Sequence, residues 1–161
     1  QLKMDSQVKI FIKRANNELL AAESLKRLSE EAKHKDEFGI PQDETFYSSV
    51  ISHSYYAIFY TAKAILLTKN VKTSSPNIHK KTYDLFDKIF VKTKVLDKRL
   101  LQIYTDIVVK ADDLLEIFKD ERWKRGNFTY QVISQANKTP AEDSLGNAKL
   151  FIANITKVIG D

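Results

Sequence analysis

The residues best suited to chemistry in this chain lie in one short stretch, KDERWKRGNFTY, which ends at Tyr130. Its basic and aromatic side chains are interleaved, and they are Lys119, Arg122, Trp123, Lys124, Arg125, Phe128 and Tyr130. Basic groups neutralise phosphates and aromatic faces stack on bases, a combination typical of proteins that bind single-stranded nucleic acid. The alternative is structural, with Arg122 and Arg125 paired to Asp120 and Glu121 and the rings packed beneath a loop.

Two histidines are further candidates for a site. His79, in NIHKK, lies near the start of a predicted helix beside Lys80 and Lys81. It can donate to a phosphate or act as a general base if its helix faces the loop at Arg125. The alternative is a partly exposed histidine near a helix start. His53 lies between two serines, and we expect it to be hydrogen-bonded, either buried in the interior or at the dimer interface.

The sequence predicts neither a metal site nor a cofactor. Four carboxylates follow one another at helical spacing, at Asp112, Asp113, Glu116 and Asp120. Helical di-metal proteins supply a Glu-x-x-His run from each of two facing helices, whereas this sequence has a single such run, Glu31 to His34. We therefore expect these carboxylates to form a solvated face. Phosphate-loop, dinucleotide and nucleophile-elbow patterns are absent, and the chain has no cysteine.

Composition predicts one all-helical domain over residues 1–161. The chain has only four glycines and three prolines, so few and long elements are expected, about five helices between the breakers. A net charge of +5 suits a polyanionic partner. The lack of cysteine and of a visible secretory signal favours a cytoplasmic location.

The stretch ISHSYYAIFYTAKAILL, residues 51–67, can be interpreted in three ways: a membrane span, an aromatic platform that stacks bases, or the central helix of a bundle. A membrane span requires about 20 predominantly apolar residues. The serines, His53 and Lys63 interrupt this stretch, so we expect no membrane partner. A helix that is apolar nearly all round is normally buried on several sides. We therefore predict a central helix over about 43–70. Its small-residue seam comprises Val50, Ser54, Ala57, Thr61, Ala64 and Thr68.

The first and last predicted helices have apolar positions at helical spacing. In the first, over about 5–33, these are Val8, Ile12, Ala15, Leu19, Ala22 and Leu25. In the last, which opens near Thr139 and Pro140, they are Leu145, Ala148, Ile152, Ile155 and Ile159. Both faces predict packing against the central helix.

An ordered set of motifs over about residues 45–158 resembles the HEPN family, in its stand-alone, mostly archaeal branch. The motifs are YYAIFYTAKAIL from Tyr55 to Leu66, then SPNIHKKTYDLF, VKTKVLDKRL, RGNFTY and AEDSLGNAKLFIANI. The resemblance implies an up-and-down antiparallel bundle that forms a symmetric homodimer. It also implies a toxin–antitoxin-like pair in which the partner is a minimal nucleotidyltransferase.

The chain departs from the family at the motif that carries catalysis. Many members are metal-independent ribonucleases with an Arg-x4-6-His motif, whereas Tyr130 stands here at about the histidine's place after Arg125. A tyrosine ordinarily has a pKa of about 10, so it is a poor base at neutral pH. Arginine and tyrosine still suit phosphate binding.

Three hypotheses about function follow. The first is a nucleotide- or RNA-interacting protein that has lost catalysis, with a site formed by Arg122, Lys124, Arg125, Tyr130 and His79. The second is an active metal-independent endoribonuclease, with Tyr130 or His79 in place of the motif histidine. The third is a protein-interaction bundle whose basic surface docks an acidic partner.

Overall fold

The computed structural model describes residues 5–109 and 138–160. These residues form six α-helices, namely α1 (Ser6–Glu30), α2 (Ala32–Glu37), α3 (Tyr47–Leu67), α4 (Ile78–Phe86), α5 (Lys98–Tyr104) and α6 (Lys138–Ile159). Helix α4 continues into a π-helical turn over Asp87–Val91, and α5 into another over Thr105–Val109. No strand occurs within the two described ranges, so the predicted all-helical class is confirmed. The predicted homodimer stays a prediction.

The three long helices pack on one another in layers spaced seven residues apart. The layers are Ala22, Val50 and Leu145; Ala15, Ala57 and Ile152; and Val8, Ala64 and Ile159. Seven residues make about two helical turns, so one face of each helix meets the others repeatedly. Residue numbers fall along α1 while they rise along α3 and α6. Helix α1 is therefore antiparallel to α3 and α6, which run parallel to each other.

The predicted central position of α3 is confirmed. Its seam is buried from Val50 to Ala64, and only Thr68 at the helix end is half-buried. Two buried hydroxyls in the seam donate to their own helix, from Ser54 to the Val50 carbonyl at 2.8 Å and from Thr61 to the Ala57 carbonyl at 2.7 Å. Small side chains that satisfy their own polar groups let the neighbouring helices approach α3 closely.

The predicted first helix is broken at Glu31, whose backbone is extended, and α2 follows as a separate helix. No helix-breaking residue lies at this point, so tertiary contacts decide the break. The buried Lys35 amine donates to the Gln42 carbonyl at 2.6 Å, and the Gln42 amide donates to the Asp36 carboxylate at 2.7 Å. These bonds hold the loop that follows α2 against that helix. The break is why the described residues contain six helices where about five were predicted.

Two helices end in the same capping motif, in which a left-handed residue follows the last turn. After α2 the left-handed residue is Gly39, and the Ile40 amide donates to the Lys35 carbonyl at 2.8 Å. After α3 it is Asn70, and the Val71 amide donates to the Leu66 carbonyl at 3.1 Å. This pattern satisfies carbonyls that the helix end leaves open. It also fixes the direction in which each following loop leaves.

Helices α4, α5 and α6 meet one another in an aromatic cluster. The ring of Phe86 lies 6.5 Å from that of Tyr104 and 5.8 Å from that of Phe151, with both pairs nearly parallel. All three residues are fully buried. Helix α4 begins at Ile78, directly after Asn77, which adopts a left-handed conformation, so His79 lies near the helix start as predicted. The cluster fixes α4 on the bundle, and α4 carries His79 in its first turn.

Candidate nucleic-acid interface

The predicted site lies partly within the described residues. Arg122, Lys124, Arg125 and Tyr130 lie outside them, as do the four carboxylates expected to form a solvated face. Their placement stays a prediction. His79 is described, and the geometry of the candidate site is therefore built from that residue.

His79 is held by two aromatic side chains of α3. A hydrogen bond of 2.5 Å joins its Nε2 to the hydroxyl of Tyr55, and the direction of donation depends on the tautomer of the ring. The imidazole also meets Phe59 edge-on, with ring centroids 4.6 Å apart. Tyr55 is buried, whereas His79 is only half-buried. The buried Tyr55 therefore orients the imidazole, whose Nε2 is bonded to the hydroxyl and whose Nδ1 is buried.

The surroundings of His79 are strongly basic. No aspartate or glutamate occurs between Glu44 and Asp84, while five lysines lie in that interval, at Lys63, Lys69, Lys72, Lys80 and Lys81. Lys80 and Lys81 are exposed next to His79, and Lys81 reaches back to the Ser74 carbonyl at 3.3 Å. Clustered like charges without local acids attract polyanions. The second half of α3 and the start of α4 therefore form a cationic surface.

Aromatic rings continue along α3 beside this surface. Tyr56 is 42% exposed and stacks on Tyr60, with centroids 6.1 Å apart. The guanidinium of Arg14 lies 4.5 Å from the centroid of Tyr60 and donates to its hydroxyl at 3.2 Å. The expectation that the rings belong to the core therefore holds for Tyr55. Tyr56 instead lies on the surface, where a ring can stack on a base.

The other histidines have structural partners. His53 pairs through Nδ1 with the Glu18 carboxylate of α1, so it links α1 to α3 as a hydrogen-bonded residue of the helix interface. His34 lies between Glu31 at 2.7 Å and Glu37 at 3.5 Å within α2. Neither residue belongs to the cationic surface.

The described residues match neither the pattern of a metal site nor that of a membrane span. Over 5–109 and 138–160, no group of three or more potential ligands could hold a metal ion. In the same ranges, no helix has both the length and the apolar character that crossing a lipid bilayer requires. A perturbed ionisable group lies where α1 meets the start of α3. Burial, and then the nearby carboxylate of Glu30, raises the pKa of Tyr47.

His79 was chosen as a candidate from the sequence, but its contact with Tyr55 was not predicted. Tyr55 lies 24 positions earlier in the chain, and spacing alone carries no signal for a contact over that distance. The signal that was available is the phenol itself, because a tyrosine on a buried helix needs a polar partner for its hydroxyl.

Comparisons with known proteins agree with this architecture. The sequence model of the HEPN domain matches residues 8–158. Two proteins of the archaeon Methanocaldococcus jannaschii are similar to the chain. "Putative toxin MJ0605" is 29% identical over 117 residues, which cover 73% of this chain and 74% of that protein. "Putative toxin MJ0142" is 35% identical over 81 residues, which cover 47% of this chain and 53% of that protein. No solved structure matches the chain.

Proposed function

Because the chain belongs to the HEPN domain family, we propose that it interacts with nucleotides or single-stranded RNA as one half of a toxin–antitoxin-like pair. The observation that carries the proposal is the oriented imidazole of His79 within a lysine-rich stretch, residues 45–83, that contains no aspartate or glutamate. Lysines supply sequence-independent attraction to phosphates, and His79, through its bond to Tyr55, fixes the start of α4 that carries Lys80 and Lys81. Similarity to two archaeal proteins named as toxins supports the pairing with an antitoxin.

The proposed site extends beyond His79 to the basic–aromatic stretch. Arg122, Lys124, Arg125 and Tyr130 are assigned to it from their residue types and order in the sequence. An arginine guanidinium matches two phosphate oxygens at once, and a tyrosine hydroxyl donates to a third. The site as proposed binds phosphates without cleaving efficiently, because tyrosine replaces the motif histidine.

Titration of fluorescently labelled single-stranded RNA, and separately of ATP, tests the binding. We expect salt-dependent binding that Arg125→Ala and His79→Gln both weaken. The variant Lys33→Ala, which removes an exposed charge on α2, is the matched control and should bind as the unmodified protein does. The absence of binding below millimolar concentrations of either ligand would remove the proposal.

A second candidate is a metal-independent endoribonuclease, favoured by the orientation of His79. If the Tyr55 hydroxyl released Nε2, the imidazole could take the proton of a 2′-hydroxyl. The 2′-oxygen would then attack the adjacent phosphorus, arginine would stabilise the developing charge, and the 5′-oxygen would leave with a proton taken from water. The products would be a 2′,3′-cyclic phosphate and a 5′-hydroxyl.

Incubation with total RNA in the presence of a metal chelator separates binding from cleavage. Cleavage by the unmodified protein that Arg125→Ala abolishes, and that either Tyr130→Phe or His79→Gln abolishes, would establish the ribonuclease. Cleavage that survives all three substitutions would point to contamination. Intact RNA in every sample, together with binding, supports the non-catalytic function.

The partner and the assembly are part of the proposal. We propose a minimal nucleotidyltransferase as the other half of the pair, and a symmetric homodimer as the state of this chain. Both follow from the family resemblance. Co-expression with a nucleotidyltransferase encoded next to this chain should yield a complex that survives nuclease treatment. Sedimentation of the purified chain should give twice its monomer mass, and a monomer at all concentrations would contradict the homodimer.

A further inference from the structure

A cavity of about 400 Å³ opens between the start of α1, the last turns of α3 and the connection to α4. Its apolar lining includes Phe11, Leu66 and Val71, and its polar lining includes Lys63, Lys72 and Ser74. Pockets for small ligands have this character, with an apolar floor and a few convergent polar groups, and they measure about 300–1,000 Å³. The cavity is therefore large enough for one small organic ligand.

The charge of the cavity is one-sided. None of the described residues that line it is acidic, and within the described part of the chain no carboxylate forms an ion pair with Lys63 or Lys72. The Lys63 amine lies 5.3 Å from the ring centroid of Phe11 and 5.4 Å from that of Phe59. The faces of aromatic rings attract a cation, and the two rings hold the amine at the cavity. The cavity therefore suits an anion.

The wall of the cavity is pre-formed. The capping motif at the end of α3 fixes Val71 through its amide bond to the Leu66 carbonyl, at 3.1 Å. Two residues on, the buried hydroxyl of Thr73 bonds to that of Thr82 in α4, at 2.7 Å. A fixed wall lowers the entropy that ordering a binding site would otherwise cost.

We propose that this cavity binds one nucleoside monophosphate unit. The phosphate would contact Lys63, Lys72 and the hydroxyl of Ser74, while the base would lie against Phe11 and Val71. An anion joined to a flat apolar group matches the one-sided charge and the apolar floor. The unit can be a free mononucleotide or the 5′-phosphorylated end of an RNA strand, since both present the same chemistry.

The cavity lies close to the imidazole of the proposed site. Phe59 is the link, because its ring contacts His79 at 4.6 Å between centroids and lies under the amine of Lys63. A strand whose end occupied the cavity would extend past Phe59 to His79. This path of the strand from the cavity to His79 rests on the proposed interaction with nucleotides.

Calorimetric titration of the full chain with adenosine 5′-monophosphate (AMP), adenosine, inorganic phosphate and myristate tests the site. We expect AMP to bind with a Kd below about 1 mM. Adenosine and phosphate should each bind at least about tenfold more weakly, because each makes only part of the contacts. Lys72→Ala should weaken AMP binding about tenfold, as the loss of one charge-assisted contact predicts. Lys33→Ala removes an exposed lysine of α2, outside both the lining and the cationic surface, and should leave the affinity unchanged.

The outcomes separate this inference from the proposed function. RNA binding that Lys72→Ala leaves intact, with no AMP binding, overturns the cavity and keeps the interface at His79. Myristate binding without AMP binding also overturns it, in favour of a long-chain carboxylate. Equal loss with Lys33→Ala and Lys72→Ala would show nonspecific attraction and overturn the site. Tighter binding of 5′-phosphorylated RNA than of 5′-hydroxyl RNA, with the difference abolished by Lys72→Ala, would identify the strand end as the ligand. Equal affinities for the two RNAs, together with AMP binding in its own titration, would identify the free mononucleotide.

Discussion

At the scale of single residues, the Tyr55 hydroxyl and the His79 imidazole act as a pair. A hydrogen bond between neutral side chains contributes about 0.5–1.5 kcal/mol to stability. We therefore predict a coupling energy of that size in a double-mutant cycle of Tyr55→Phe and His79→Ala, measured by chemical denaturation. The contact between His79 and Phe59 persists in Tyr55→Phe, so the cycle isolates the hydroxyl. A coupling energy near zero would contradict the oriented imidazole.

Two glycines should respond to the same substitution with opposite signs. Gly39 has a φ of +66°, which is unfavourable for alanine, whereas Gly146 lies within α6. A Cβ at either position would meet no atom within 4 Å, so backbone conformation alone decides the effect. Gly39→Ala should destabilise the fold by about 1 kcal/mol. Gly146→Ala should stabilise it by about 0.5–1 kcal/mol.

Thermal denaturation of both glycine variants provides the measurement, and each variant serves as the control of the other. A melting temperature lowered in both variants would mean that Gly146 has a packing role. An unchanged melting temperature in Gly39→Ala would contradict the left-handed cap after α2.

Candidate residues could be chosen from the sequence by their type, but the residues that they contact could not be predicted. His79 was recognisable because histidine beside two lysines suits phosphate chemistry. Its bond to Tyr55 and the pairing of His53 with Glu18 join different helices, and their geometry depends on how those helices pack. A single sequence contains the residues of such a contact without stating which ones meet.

At the scale of the helices, the small-residue layers set how closely α1, α3 and α6 approach. Ala57 is fully buried between Ala15 and Ile152. Ala57→Leu should therefore force the helices apart and destabilise the fold by about 1–3 kcal/mol. Ala153→Leu adds the same atoms at an exposed position of α6 and should change stability by less than about 0.5 kcal/mol. Urea denaturation of both variants tests this, and equal effects would contradict the layered packing.

The junction of α1 and α3 should be sensitive to alkaline pH. Tyr47 donates to Glu30 at 3.3 Å, and burial together with that carboxylate raises the pKa of Tyr47 in the folded chain. The unfolded chain, whose tyrosines have a pKa of about 10, therefore loses this proton first. The contribution to stability is complete below about pH 10 and is lost as pH rises through the raised pKa.

Urea denaturation at pH 9 and pH 11 measures this effect. Tyr47→Phe removes the ionisation, so its free energy of unfolding should fall less between the two pH values than that of the unmodified protein. Titration of the lysines and of the other tyrosines is common to both proteins. Equal losses would contradict a raised pKa at Tyr47.

Periodicity was sufficient to predict the long helices and their buried faces, because burial along a helix repeats every few residues. It could not predict the break at Glu31, since no glycine or proline marks it. The contacts of Lys35 and Gln42 that stabilise the break are tertiary. Likewise, the left-handed Asn70 that ends α3 carries a weaker signal than the glycine at the end of α2.

At the scale of the whole molecule, charge is unevenly distributed along the chain. Residues 45–83 carry no carboxylate, although the full sequence contains 21 acidic residues. The bundle thus presents a cationic surface that includes His79, while α1 and α2 carry mixed charges. This asymmetry, combined with membership of the HEPN domain family, accounts for the proposed attraction to RNA.

We propose that RNA binds at the cationic surface around the start of α4. Fluorescence anisotropy of a labelled single-stranded RNA, recorded over a range of salt concentrations, tests it most directly. Lys80→Glu and Lys33→Glu change the net charge equally, and both residues are exposed, on α4 and α2 respectively. We predict that Lys80→Glu weakens binding at least about fivefold. It should also lower the slope of the salt dependence by about 0.7, which is the contribution of one phosphate contact. Lys33→Glu should change neither the affinity nor the slope. Equal weakening by both substitutions, or an unchanged slope for Lys80→Glu, would contradict the proposal.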